Sequence, residues 1–160
     1  MTHAIHKRRL LAVLTAVFAL FALLLMHPTA GAVDEEDELI GANIQDGVLL
    51  GYYGPGGDIV LPNTVTKIGD EALKGNKKIT GITIPGSVTD IGNNAFENCA
   101  NLERVTFTNP DKATENLLIR LGAFKDCTSL NDVEIPARAY QIVGNIFKGC
   151  TSLMNVKVNA

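Results

Sequence analysis

The chain has 160 residues, 46% hydrophobic and 19% charged, with 14 Lys and Arg against 17 Asp and Glu, three cysteines and no tryptophan. That length holds one domain after any processing. The three histidines are His3, His6 and His27, so everything beyond them lacks the commonest general base and metal ligand, and the acidic balance argues against nucleic acid as a partner.

Lys7, Arg8 and Arg9 precede an apolar run from Leu10 to Met26, followed by Pro28 and the small-residue site Ala30-Gly31-Ala32. That order reads as a secretory signal peptide over residues 1–32, cleaved after Ala32. The competing reading is an uncleaved anchor, because the 17 residues from Leu10 to Met26 are only just enough to cross a bilayer. Both readings place the rest of the chain outside the cytoplasm, secreted or at the cell surface, and cleavage leaves no membrane insertion. Without the peptide, 11 Lys and Arg face 17 Asp and Glu, a net charge of −6.

Residues 33–43 form an acidic leader. Its run Asp34 to Glu38, DEEDE, sets five carboxylates side by side, and these repel one another and stay hydrated. A calcium loop instead spaces its ligands around a glycine turn.

Residues 44–160 read as one repeat domain with a cap over 44–58. Asn43-Ile44-Gln45 and Val48-Leu49-Leu50 flank Asp46-Gly47, a dipeptide suited to a two-residue hairpin turn with positive φ. Gly54-Pro55-Gly56-Gly57 is a second turn signal. Two linked hairpins are expected, with one of Tyr52 and Tyr53 covering the end of the first repeat, because a terminal coil otherwise exposes its apolar face and strand edge.

Beyond the cap, landmarks recur at fixed spacing. Pro62 to Pro85, Ile68 to Ile91, Leu73 to Phe96 and Ile59 to Ile82 are each 23 residues apart. Phe96 to Phe124, Cys99 to Cys127 and Val105 to Val133 are spaced 28, which places a five-residue insertion between Thr108 and Leu118; the step then returns to 23 for Phe124 to Phe147 and Cys127 to Cys150. Self-similarity at such a period is the mark of a solenoid, whose units stack over one shared core.

Each unit divides in the same way. In the copy starting at Ile82, the alternation Ile82-Thr83-Ile84 is a short strand, which Pro85 ends because it cannot donate to a ladder. Ser87 to Ile91 is a second extended piece with Val88 and Ile91 inward. Ala95, Phe96 and Cys99 suit one helical turn, and Leu102, Val105 and Phe107 lead into the next strand. The expected fold is a repeat solenoid, mostly β with short helical turns, of about four coils under an N-terminal β-hairpin cap.

The pattern IPGSVTDIGNNAFENCANLERVTF resembles the BspA-like, or Treponema pallidum type, leucine-rich repeats of bacterial surface proteins. LPNTVTKIG, GAFKDCTSL and NIFKGCTSL carry the same landmarks, so the resemblance covers roughly Ile59 to Val158. Where the family has Gly after Ile, this chain has Arg120 and Val143, with Gly122 and Gly144 displaced. The third coil replaces the IPxSV segment with the run Asn109 to Glu115, read as a bulged surface loop. The resemblance implies an extracellular or surface-displayed scaffold for protein or glycan contacts, with no catalytic residues and no cofactor to carry over.

Chemistry was tested against plainer readings. Cys99, Cys127 and Cys150 share one repeat position and fall in a column at strand spacing, where parallel Cβ vectors give poor disulfide torsions; buried apolar thiols are the reading. No metal site is expected, since zinc needs about four converging ligands. Ser87, Ser129 and Ser152, the only serines, sit at repeat positions without an imidazole and read as structural hydroxyls. Carboxylate pairs such as Asp132 and Glu134 on one strand have the residue types for glycoside chemistry, but no pocket-forming insertion accompanies them.

Strand parity names a binding face. With Val105 and Phe107 inward, Arg104 and Thr106 point out, and the equivalent positions are Thr83, Asp132, Glu134, Asn155 and Lys157. These residues are the candidate site for adhesion or host contact. The alternative is a spacer or fragment of a larger surface protein with no ligand of its own.

Overall fold

The computed structural model describes residues 39–108 and 115–159. The expected signal peptide at 1–32, the acidic run at Asp34 to Glu38 and residues 109–114 of the expected loop lie outside the described residues. Among the described residues eleven strands form two sheets, alternating from β2 onward: β1 (Ala42–Gln45), β2 (Val48–Tyr52), β3 (Gly57–Val60), β4 (Lys67–Ile68), β5 (Ile79–Ile84), β6 (Asp90–Ile91), β7 (Arg104–Phe107), β8 (Leu117–Ile119), β9 (Asp132–Ile135), β10 (Ala139–Ile142) and β11 (Asn155–Val158). Sheet A runs β1-β2-β4-β6-β8-β10 and sheet B runs β3-β5-β7-β9-β11. Apart from the antiparallel hairpin β1–β2, every described pairing is parallel, as a chain winding in one direction requires. With β3 included, the stack is five coils deep.

The hairpin forms where Asp46-Gly47 places it. Both residues have positive φ, 49° and 75°, and Gln45 pairs directly with Val48. Tyr52 is buried against the first coil while Tyr53 is exposed, so one ring of the two closes the core. The second hairpin does not form. Gly56 and Gly57, at φ 97° and 78°, carry the chain across to sheet B, where β3 joins β5 in parallel. A turn signal marks where a chain bends, and it does not say which strand becomes the partner.

The third side of each coil is a run of turns at 70–75, 93–98, 121–126 and 146–149, without the expected helical turn. The backbone explains why. The N–H groups of Leu73, Phe96 and Phe124 donate to Ala95, Ala123 and Ile146 of the following coil at 2.8, 2.8 and 3.0 Å, so donors that a helix would use internally are spent between coils. Glu71, Asn94, Asn98 and Asp126 also adopt positive φ, which interrupts right-handed helical geometry and which Asn and Asp tolerate best.

Identical positions therefore share columns. Phe96 stacks on Phe124 with centroids 5.0 Å apart and Phe124 on Phe147 at 5.8 Å, with rings inclined by 12° and 20°. Leu102 and Leu130, and Ile82, Val105 and Val133, fill further columns in the buried core. The column opens at the last described coil: Val156 and Val158 are 46% and 65% exposed, against 5% for Val105 and 1% for Ile135.

Polar groups follow the same rule. Asp90 lies between Lys67 of the coil before, at 3.1 Å, and Arg120 of the coil after, at 2.7 Å. Burial pushes its carboxyl up, but Arg120 and Lys67 outweigh burial and hold it below its ordinary value. Arg120 stands where the family pattern has Gly, and its guanidinium closes this clamp. Glu97 is held in the same way by Lys125 and Lys74, whose hydrogen bonds lower its pKa. Ser87 Oγ donates to Val65 O at 2.8 Å, the structural role expected of it. Arg138 is buried and donates to Val88 O at 2.7 Å, with burial lowering its pKa.

Replacing Phe124 by Ala removes the middle ring of the stack and is expected to cost about 3–5 kcal/mol in urea unfolding; a loss below about 1 kcal/mol contradicts the stack. A carboxyl with a depressed folded pKa stabilises fully above its unfolded value, near 3.8 for Asp90, and loses that contribution as pH falls through the lower folded value. Asp90→Asn should therefore be less stable than wild type near neutrality, and the two should converge below pH 3.8. Parallel stability curves over that range contradict the clamp.

Candidate binding face on sheet B

Five parallel strands present two outward rows. The first passes through Asp58, Gly81, Arg104, Asp132 and Asn155, each the ladder partner of the next. The second passes through Val60, Thr83 and Thr106, and continues with Glu134 and Lys157 as partners on β9 and β11. Arg104, Thr106, Asp132, Glu134, Asn155 and Lys157 are exposed and Thr83 is half-buried. Alternation along a strand puts these side chains opposite the buried Val105, Val133 and Ile135.

The face is paired within itself. Arg104 reaches past Gly81, where its Nη2 donates to the two Asp58 carboxylate oxygens at 3.1 and 2.8 Å, while Nη1 donates to Glu103 at 3.2 Å. The reach depends on Gly81, because a Cβ there would stand 2.6 Å from Asp58 Oδ1. Thr80 Oγ1 donates to the same carboxylate at 2.8 Å, and Thr80 and then Arg104 hold Asp58 below its ordinary pKa. Lys157 Nζ lies 2.9 Å from Glu134 Oε1, and Asn159 Nδ2 donates to that oxygen at 2.7 Å. Lys157 and Asn159 together lower the Glu134 pKa. Asp132 accepts from Asn155 Nδ2 at 2.8 Å.

A groove of about 730 Å³ crosses this face, lined by β7, β9, β11 and their flanks. It gathers six of the seven residues named from sequence: Arg104, Thr106, Asp132, Glu134, Asn155 and Lys157. Thr83 lines a second hollow of about 620 Å³ along β3, the edge strand of sheet B. Parity alone does not reveal Glu103, Phe107 and Asn131, which also line the main groove. Nor does it reveal Asp58, although that residue sits two 23-residue steps before Arg104, and that spacing was the available signal.

The cysteine column takes no part in this face. Cys99, Cys127 and Cys150 are unpaired thiols. Each donates to a carbonyl of the preceding coil: Cys99 to Leu73 at 3.0 Å, Cys127 to Phe96 at 3.1 Å and Cys150 to Phe124 at 3.1 Å. The Cys99 thiol beside it and burial push Cys127 far up, and burial pushes Cys150 up. Among the described residues, no group of three or more His, Cys, Asp or Glu side chains could hold a metal ion.

Comparison with known proteins fits this geometry. A family model for the BspA type leucine rich repeat region, in six copies, matches residues 57–160. The chain belongs to the BspA-type leucine-rich repeat family. No curated protein sequence matches it. Among solved structures, a leucine-rich repeat protein from Bacteroides capillosus is similar at 29% identity and TM-score 0.56, over 71% of this chain and 86% of that one. The pneumococcal vaccine antigen PcpA is similar in fold at 24% identity and TM-score 0.55, over 68% of this chain and 31% of PcpA. The leucine rich repeat protein of T. pallidum is similar in fold at 24% identity and TM-score 0.50, over 68% and 62%. This BspA-type array thus spans about a third of one such chain and under two thirds of the other.

Thiols buried away from solvent react slowly. In the native BspA-type array, a thiol reagent such as dithionitrobenzoate should leave Cys99 and Cys127 unmodified and label only Cys150, slowly, with all three reacting after denaturation. Fast labelling of Cys127 in the native state contradicts the column.

Proposed function

We propose that the outward face of sheet B is a contact surface through which an exported, surface-displayed repeat domain binds a protein or glycan, as in adhesion or host contact. The observation that carries this reading is the groove, which gathers six outward repeat positions on rigid parallel strands. Curved repeat arrays commonly use their extended sheet for contacts. Family membership supports a repeat binding module, and the signal-peptide reading of residues 1–32 supports export. No helix among the described residues is long and apolar enough to cross a membrane. The domain is read as non-catalytic: Glu134, half of the Asp132 and Glu134 carboxylate pair, is engaged by Lys157 and Asn159.

One observation favours the spacer reading: arrays of this fold lie within longer chains such as PcpA.

A panel of surface proteins and glycans separates the two. For any ligand found, Thr106→Trp, which fills the groove, and Lys157→Glu should each weaken binding by about tenfold. Stability should stay within about 0.5 kcal/mol, as for surface substitutions generally. Unchanged binding in both variants removes the proposed face.

A further inference from the structure

The groove forms where the regular ladder fails. β5 and β7 pair at four positions and so do β9 and β11, but β7 and β9 pair only at Arg104–Asp132 and Val105–Val133. The five-residue insertion enters the sequence between these two strands. Beyond Val105 the half-buried Phe107, which packs against the core, only borders the groove, so the groove's outward rows are polar.

Its charge is unbalanced for a specific reason. Asp132 has a cation as its ladder neighbour, yet the Arg104 guanidinium turns the other way, over Gly81, to Asp58. Among the described residues Asp132 is left with the neutral Asn155 amide alone. Glu103, paired with Arg104 Nη1 at 3.2 Å, and Glu134, paired with Lys157, line the same groove, so Asp132 is its one carboxylate without a cation among the described residues. Neither tryptophan nor tyrosine lines it.

We propose that this groove takes a cationic segment of a protein partner, with a Lys or Arg head on Asp132. The proposal rests on the binding-face reading above and narrows its partner from protein or glycan to a basic polypeptide. Long basic side chains suit such a site because a flexible stem lets the charged head reach a carboxylate on an open strand face. Complementary potential would select the partner and speed its encounter, and salt would weaken both effects.

The test uses the purified full chain and two short fluorescent peptides, one alternating Lys and Val, the other Glu and Val, read by anisotropy. The Lys peptide should bind about tenfold more tightly than the Glu peptide. Asp132→Lys should remove about tenfold of that affinity, while Glu115→Lys, the same charge change at an exposed residue before β8, should change it less than about twofold. Equal losses in the two variants would mean attraction by net charge alone and overturn the proposal, as would equal binding of the two peptides. For a ligand found in the surface panel, loss with Thr106→Trp but not with Asp132→Lys overturns the cationic partner and leaves the binding face standing. Loss with neither removes both.

Discussion

The structure depends on hydrogen bonding from coil to coil on all three sides of the winding. Two sides are strand ladders, and the third is the run of turns, whose N–H groups reach the next coil's carbonyls at 2.8 to 3.0 Å for Leu73, Phe96 and Phe124. A buried backbone donor without a partner is costly, so a coil cannot slip against its neighbour without breaking several bonds at once. In-register stacking follows, and it converts equal spacing in sequence into vertical columns of like side chains.

Each column then has its own chemistry. Phenylalanines stack, thiols donate to the carbonyl of the preceding coil, and threonines continue the pattern at the surface, where Thr128 and Thr151 donate to Ala100 and Thr128 at 3.3 and 3.4 Å. A column of like charges would repel itself, and the chain avoids one along the turns by alternating sign at Lys74, Glu97 and Lys125; on sheet A, Asp90 meets Lys67 in its own column and Arg120 from the column of Gly69 and Gly92. Sheet B departs from this order at Gly81. The gap there leaves room for Arg104 to reach Asp58 instead of Asp132, so the charge pattern of the outward rows follows from a missing side chain.

Much of this was legible in the sequence, for a physical reason. The 23-residue period and the 28-residue step across the insertion are direct consequences of register, so the Phe and Cys columns, the two sheets and the outward rows could be read from spacing alone. The Asp46-Gly47 hairpin was legible because two consecutive positive φ angles demand particular residues. The turns at the third side were not, because Ala95, Phe96 and Cys99 have the spacing of a helical turn whether their backbone donors point within the coil or to the next one. The partner of β3 was hidden for the same reason, since a glycine-rich bend serves a hairpin or a crossover equally. The groove was only half visible. Parity named its polar rows, but the isolation of Asp132 depends on which way one guanidinium turns.

Nuclear Overhauser contacts between phenylalanine rings would test the stacked register most directly. The account predicts contacts between Phe96 and Phe124, at 5.0 Å between centroids, and between Phe124 and Phe147, at 5.8 Å, with none between Phe96 and Phe147. Rings that lack mutual contacts, with each phenylalanine among residues unrelated to the repeat, would contradict it.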